Sequence, residues 1–134
     1  MKKNKTLNKK EIIPNEKAAG IKLGAGKATV KKNWGEPVQV EEISLKVERL
    51  EYENASFWLE SGKIDQISLC DLYEGKTNEK IGIGSMRVEV EDVYGSLEWD
   101  GSWHIQIPPF GIGFDFENDE LGQQFVSEIY IFIQ

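Results

Sequence analysis

The segment SLEWDGSWHIQIPPFGIGFDFENDE, residues 96–120, gathers side chains suited to recognition. Trp99, Trp103, His104 and Phe110 lie among Glu98, Asp100, Asp115, Glu117, Asp119 and Glu120. Tryptophan is a preferred interface anchor, and carboxylates around it pair with Arg or Lys of a partner protein. Asp100-Gly101 reads as a hairpin turn that puts Trp99 and Trp103 on adjoining strands. The same two tryptophans would equally suit the core of a small sheet. Pro108-Pro109 followed by Phe110-Gly111 marks a rigid loop, either an interface rim or a plain crossover.

Catalysis needs a nucleophile, a general base or a metal, and the inventory for those is thin. His104 is the only histidine, so neither a histidine pair nor an HExxH zinc helix exists. Cys70 is the only cysteine and ends a predicted strand, where a buried structural thiol is expected. The glycine-rich strings GAGK at 24–27 and GIGS at 82–85 read as tight turns rather than phosphate loops. Acidic pairs such as Asp115/Glu117 and Asp119/Glu120 leave a carboxylate-dependent hydrolase open as an alternative. DFENDE at 115–120 departs from the order of a calcium-binding EF-hand loop. No catalytic residue, cofactor or metal site is assigned.

The net charge of −7 hides an asymmetry. Residues 1–32 carry ten lysines against two acids (+8), whereas residues 33–134 carry six bases against 21 acids (−15). Beyond Arg87 there is no Lys or Arg, while ten Asp or Glu appear. Such a surface repels nucleic acid and attracts basic proteins. The leading lysines have no aromatic residue among them before Trp34, which does not suit nucleic-acid binding. No apolar run reaches the roughly 18–20 residues of a membrane helix. The basic start has no apolar core of a secretory signal behind it, and a lone cysteine forms no intramolecular disulfide. Together these point to a cytoplasmic protein, with a flexible basic tail over residues 1–12 and one domain over residues 13–134.

The elements that must position these residues are announced by a repeated phrase. IKLGAGKATVKKNWG at 21–35 and IGIGSMRVEVEDVYG at 81–95 match without a gap at an offset of 60. Ile21, Leu23, Gly24, Val30, Trp34 and Gly35 answer to Ile81, Ile83, Gly84, Val90, Tyr94 and Gly95. Each copy predicts a short strand, a turn and a two-turn helix stopped by its last glycine, with Pro37 barring continuation of the first. Ser85 is the expected cap of the second helix, although Val88, Val90 and Val93 keep a strand open there. Strands follow in both halves. VQVEEISLKVERLEYE changes phase near Glu41-Glu42, where a turn or bulge is expected. Residues 56–60 and 63–70 make a hairpin about Ser61-Gly62. Phe114 and Phe116 precede a turn over 117–122 and a closing strand over 124–133. KIDQISL at 63–69 aligns with FVSEIYI at 125–131. The expected class is therefore α+β: two tandem repeats, about 18–75 and 76–134, each a short helix on an antiparallel meander, forming one curved sheet. The apolar last strand, EIYIFIQ, is expected to leave an edge for a homodimer.

The strings GIKLG at 20–24, WGEP at 34–37 and FWLESGKI at 57–64 resemble the repeat unit of the beta-lactamase inhibitory protein and SmpA/OmlA superfamily. That resemblance implies helices packed on one face of a curved sheet whose concave side holds a protein ligand. The lipid-attachment cysteine and disulfides of secreted members are missing. A short acidic chain without a catalytic set also resembles contact-dependent-inhibition immunity proteins. The expectation is thus a non-catalytic inhibitor that blocks a basic, nucleic-acid-attacking toxin domain, with no direct nucleic-acid or membrane partner. A structural binding module with a constitutive partner is the alternative from another class.

Overall fold

The computed structural model describes residues 10–101, 103–106 and 110–133. Two short antiparallel strands, β1 (Lys17–Ala18) and β2 (Ile21–Lys22), lead into helix α1 (Lys27–Trp34). Strands β3 (Gln39–Glu42), β4 (Val47–Glu51), β5 (Ala55–Glu60) and β6 (Lys63–Cys70) follow. Helix α2 (Arg87–Tyr94) then precedes β7 (Leu97–Trp99), β8 (His104–Gln106), β9 (Ile112–Asn118) and β10 (Gln124–Phe132). Strands β3 to β10 form one sheet in the order β3-β4-β5-β6-β10-β9-β8-β7, with every neighbouring pair antiparallel. The class is α+β, with two short helices and a large antiparallel sheet. One hydrophobic cluster draws on both helices and strands from both ends of the chain, so the core shows no division into separate units.

Both helices are short because glycine ends them. Gly35 and Gly95 have φ of 79° and 84°, a region only glycine enters without strain, and each donates its N–H to the carbonyl four residues back. Each helix buries one valine completely, Val30 or Val90. Four residues on, an aromatic extends the same stripe: Trp34 meets Tyr52 and Phe57, and Tyr94 meets Phe114. The strand alternative over 88–93 is not adopted. Val88 and Val93 face outward while Val90 is buried, which is a helical period. Met86, not Ser85, caps α2, its N–H donating to the Glu89 carboxylate at 2.8 Å. Ser85 instead accepts from Gly82 N–H, closing the turn ahead of the helix.

Each helix entry is tied to one strand. Gly24 N–H donates to Ile64 O, and Ile64 N–H donates back to Ala25 O. Gly84 and Val126, with Ser85, make the corresponding pair of bonds. One residue past each tie the strand bulges: Asp65 in β6 and Ser127 in β10 have no cross-strand partner. The bulge lets residues three apart, Ile64 with Ile67 and Val126 with Ile129, all enter the core.

Several expectations change. The last strand is not an edge: β10 lies between β6 and β9, so an edge dimer along EIYIFIQ has no place, and the edges are β3 and β7. The β3–β4 turn falls at 43–46, beyond Glu41-Glu42, because those glutamates still pair with Arg49 and Glu48. Ile12 is buried and its N–H donates to Lys76 O, so packed chain begins within the expected tail; residues 1–9 of that tail lie outside the described residues. Cys70 is only partly buried. The Ser61-Gly62 hairpin is as expected, with both residues at positive φ, the pattern of a type I′ turn.

Candidate functional site on the open sheet face

Alternation along the strands gives the sheet two unlike faces. Leu50, Phe57, Leu59, Ile67, Ile129 and Phe114 point to the helices and are buried. The intervening residues form the other face, which neither helix covers. Register decides which of them are neighbours, since directly paired antiparallel residues project to the same side. One row crosses the sheet as Arg49, Trp58, Gln66 and Phe132. The next is Glu51, Ser56, Ser68, Tyr130 and Gly113. A third is Cys70, Glu128 and Asp115.

Two tryptophans dominate this surface, and each is seated differently. Trp58 lies beneath Arg49, whose guanidinium carbon is 5.3 Å from the ring centre. The same guanidinium is paired to Glu41 at 3.2 Å and to Glu51 at 3.0 Å. Arg49 Nε and Trp58 Nε1 are buried with no hydrogen-bond partner among the described residues. Trp103 comes from the β7–β8 turn and folds over β9 and β10. Its ring centre is 4.9 Å from both Tyr130 and Phe132, nearly parallel to the latter. Gly113 makes this seat: a Cβ there would meet Trp103 Cδ1 at 2.6 Å.

Beside Trp103 sits a polar cluster. The Tyr130 hydroxyl donates to Asp115 Oδ2 at 2.5 Å. Burial pushes the Tyr130 hydroxyl well above its ordinary value, and accepting carboxylate neighbours push it further. Burial also raises the Glu128 carboxyl, with the Asp115 charge adding to it, while Tyr130 and Arg49 pull the other way. The Cys70 thiol is pushed up to about 11 by burial and by the charges of Asp71 and Glu128, so it is not a ready nucleophile.

The ten residues singled out in the sequence separate into distinct places. Trp103 and Asp115 belong to the open face, and strand parity puts Glu98 and Glu117 on the same side. Trp99 and His104 pair across β7 and β8, with rings 5.1 Å apart, and His104 packs against Phe116 on the helix side. Glu98 is exposed on β7, and Asp100 accepts from Trp103 N–H in the turn. Phe110 stands 55 % exposed near Tyr94. Glu117 is the penultimate residue of β9, and Asp119 and Glu120 occupy the β9–β10 turn, where Asp119 accepts from Leu121 and Gln123. Pro108-Pro109 lie outside the described residues. Arg49, Trp58, Tyr130 and Phe132 were not anticipated. The alternation in SFWLE and EIYIF carries the three aromatics, but apolar residues at successive positions mask it.

Among the described residues, no group of three or more His, Cys, Asp or Glu is placed to hold a metal ion. A cleft of 490 Å³ opens elsewhere, lined by Trp34, Tyr73, Leu72 and the Lys10–Glu74 ion pair.

No protein-family model and no curated protein matches the chain. Its fold is similar to that of solved structures. One is an extracellular protein containing an SCP domain from Bacillus anthracis str. Ames, at 12 % identity and a TM-score of 0.53, covering 84 % of this chain and 44 % of that one. Another is a cysteine-rich secretory protein from Staphylococcus aureus subsp. aureus Mu50, at 13 % identity and a TM-score of 0.58, covering 95 % and 48 %. The chain thus spans less than half the length of either protein. These matches correct the resemblance to the beta-lactamase inhibitory protein and SmpA/OmlA superfamily, and with it the likeness to contact-dependent-inhibition immunity proteins. The glycines and apolar residues that carried the resemblance report tight turns and core positions, which unrelated families share. The cytoplasmic expectation is corrected too, because the proteins that share the fold are described as extracellular and secretory.

Proposed function

We propose that this protein is a non-catalytic binding module that receives another protein on the helix-free face of its sheet. The observation that carries this reading is the seating of Trp58 and Trp103 there, Trp58 under an arginine held by Glu41 and Glu51, and Trp103 on a tyrosine bonded to Asp115. Rigid aromatics present contact area at low entropic cost, and Glu41, Glu51, Asp115 and Glu128 favour a basic partner. Arg49 is held between Glu41 and Glu51, and Asp115 accepts from Tyr130, an arrangement of polar groups that suits recognition better than turnover. A role outside the cytoplasm accords with the extracellular and secretory proteins that share the fold.

The architecture supports a second part of this reading, that two copies of one unit meet at their last strands. Helices 27–34 and 87–94, the paired ties at Ile64 and Val126, and the bulges at Asp65 and Ser127 occupy corresponding places. The first copy places Trp58 on the open face, and the second places Trp103 there from its own turn.

The experiment is affinity capture from the fraction of the producing cells that contains the protein, comparing wild type with the Trp58→Ala/Trp103→Ala double variant. A partner retained by wild type and lost by the folded double variant supports the reading. Equal retention by both sinks it.

A further inference from the structure

The two tryptophans of the open face differ in one respect. Trp58 already carries a cation: Arg49 lies over its ring and is bracketed by Glu41 and Glu51. Trp103 stacks on Tyr130, whose hydroxyl donates to Asp115, and Asp115 and Glu128 face each other across β9 and β10 one row from Tyr130 and Gly113. Adjacent rows on one face are about 7 Å apart, within reach of one side chain's charged head. Neither carboxylate forms an ion pair among the described residues. The chain has no Lys or Arg after Arg87, so the strands around Trp103 supply no cation of their own.

We propose that the Trp103 seat receives an arginine side chain of the partner protein, its guanidinium lying against the indole and pairing with Asp115 and Glu128. This rests on the open face being the binding face, and it names the chemistry recognised there. Charge complementarity selects a cation, since the only open-face cation in these three rows, Arg49, is already committed. Planarity selects arginine over lysine, because a guanidinium stacks on an indole while donating in its plane to carboxylates on either side. The Arg49–Trp58 arrangement is the same contact made within the chain. The raised carboxyl of Glu128 fits a group whose compensating charge arrives with the partner.

The test is an NMR titration of the full chain with the probe Ac-Gly-Arg-Gly-Arg-Gly-NH2, reading the tryptophan indole N–H signals, with the lysine analogue as control. The Trp103 indole and the Gly113 and Glu128 amides are expected to shift saturably, and the Trp58 indole is not. The lysine peptide is expected to bind about fivefold more weakly, and Asp115→Asn/Glu128→Gln about tenfold more weakly than wild type. Should that variant lose its fold, Trp103→Leu in the same titration replaces it, and 0.5 M NaCl weakens the wild-type response. Arg49→Ala is expected to vacate the other seat and make the Trp58 indole respond. Shifts spread over all four tryptophans, an unchanged affinity after neutralising the carboxylates, or no response from Trp103 would overturn the assignment. If the peptide fails while a partner is still captured through Trp58 and Trp103, the arginine assignment falls and the binding-face reading stands.

Discussion

The two faces of this sheet are built from the same strands and differ in nearly every other way. On the covered face, Phe57, Ile67, Phe114, Ile129 and Ile131 are each 1 % exposed or less. On the open face, alternate positions of those strands carry Trp58, Gln66, Asp115, Tyr130 and Phe132, all partly exposed. Each fully buried large apolar side chain contributes about 1.5–3 kcal/mol, so most of the stability resides on the helix side. The open face holds its aromatics by stacking and ion pairing rather than enclosure. Stability and the proposed recognition are therefore separated by strand parity, and one face can change without unfolding the other.

The contrast can be broken most forcefully in the core. Phe57→Ala and Phe114→Ala are expected to cost about 3–5 kcal/mol each in urea denaturation, whereas Trp58→Ala costs less than half as much. Equal losses would erase the distinction between the faces. A smaller effect comes from Gly113→Ala, which drives a methyl into Trp103 and is expected to cost about 1–3 kcal/mol. Displacing the indole should also shift tryptophan emission to the red, and unchanged emission would mean the stack is not held there. Gly35→Ala and Gly95→Ala are each expected to cost about 1 kcal/mol, since both force a side chain into left-handed backbone. Similar losses sharpen the correspondence of the two helices, and a large inequality blunts it.

The smallest expected effect is electrostatic. The Glu128 carboxyl titrates higher in the folded chain than in the unfolded one, so the folded chain binds the extra proton. Stability contributed by this group is therefore greatest at low pH and falls as pH rises through the window between the two values. Glu128→Gln removes that fall. The variant is expected to be slightly more stable than wild type at pH 7, with the difference vanishing as pH drops below the unfolded value of about 4.3. Thermal melts across this range check the sign, and a variant that is less stable at neutral pH would reverse it.

Local signals in the sequence carried far. The i, i+4 pairs Val30/Trp34 and Val90/Tyr94 with their stopping glycines place both helices. Ser61-Gly62 places one hairpin; Asp100-Gly101 marks a second, but there Trp99 pairs with His104 and Trp103 belongs to the turn rather than to the adjoining strand. Strand order was not legible, because alternation tells which way a side chain points and nothing about which strand lies beside it. EIYIFIQ therefore read as an exposed edge, although the ties at Val126 and the pairing with β6 put β10 in the middle. The site was half legible. Trp103 and Asp115 stand out within their acidic stretch. Trp99 and His104 were grouped with them, yet they pack at the other face, because neighbours in a strand alternate sides. Tyr130 and Phe132 were hidden among isoleucines, and Arg49 gains meaning only when register sets it over Trp58.

The most direct test of the binding-face account is site-specific photocrosslinking. A benzoylphenylalanine is placed at Trp58 on the open face or at Val88, exposed on helix α2, in cells that make the protein. The account predicts a discrete adduct with another protein from position 58 and none from position 88. Adducts from position 88 alone would contradict it and move the binding surface to the helices.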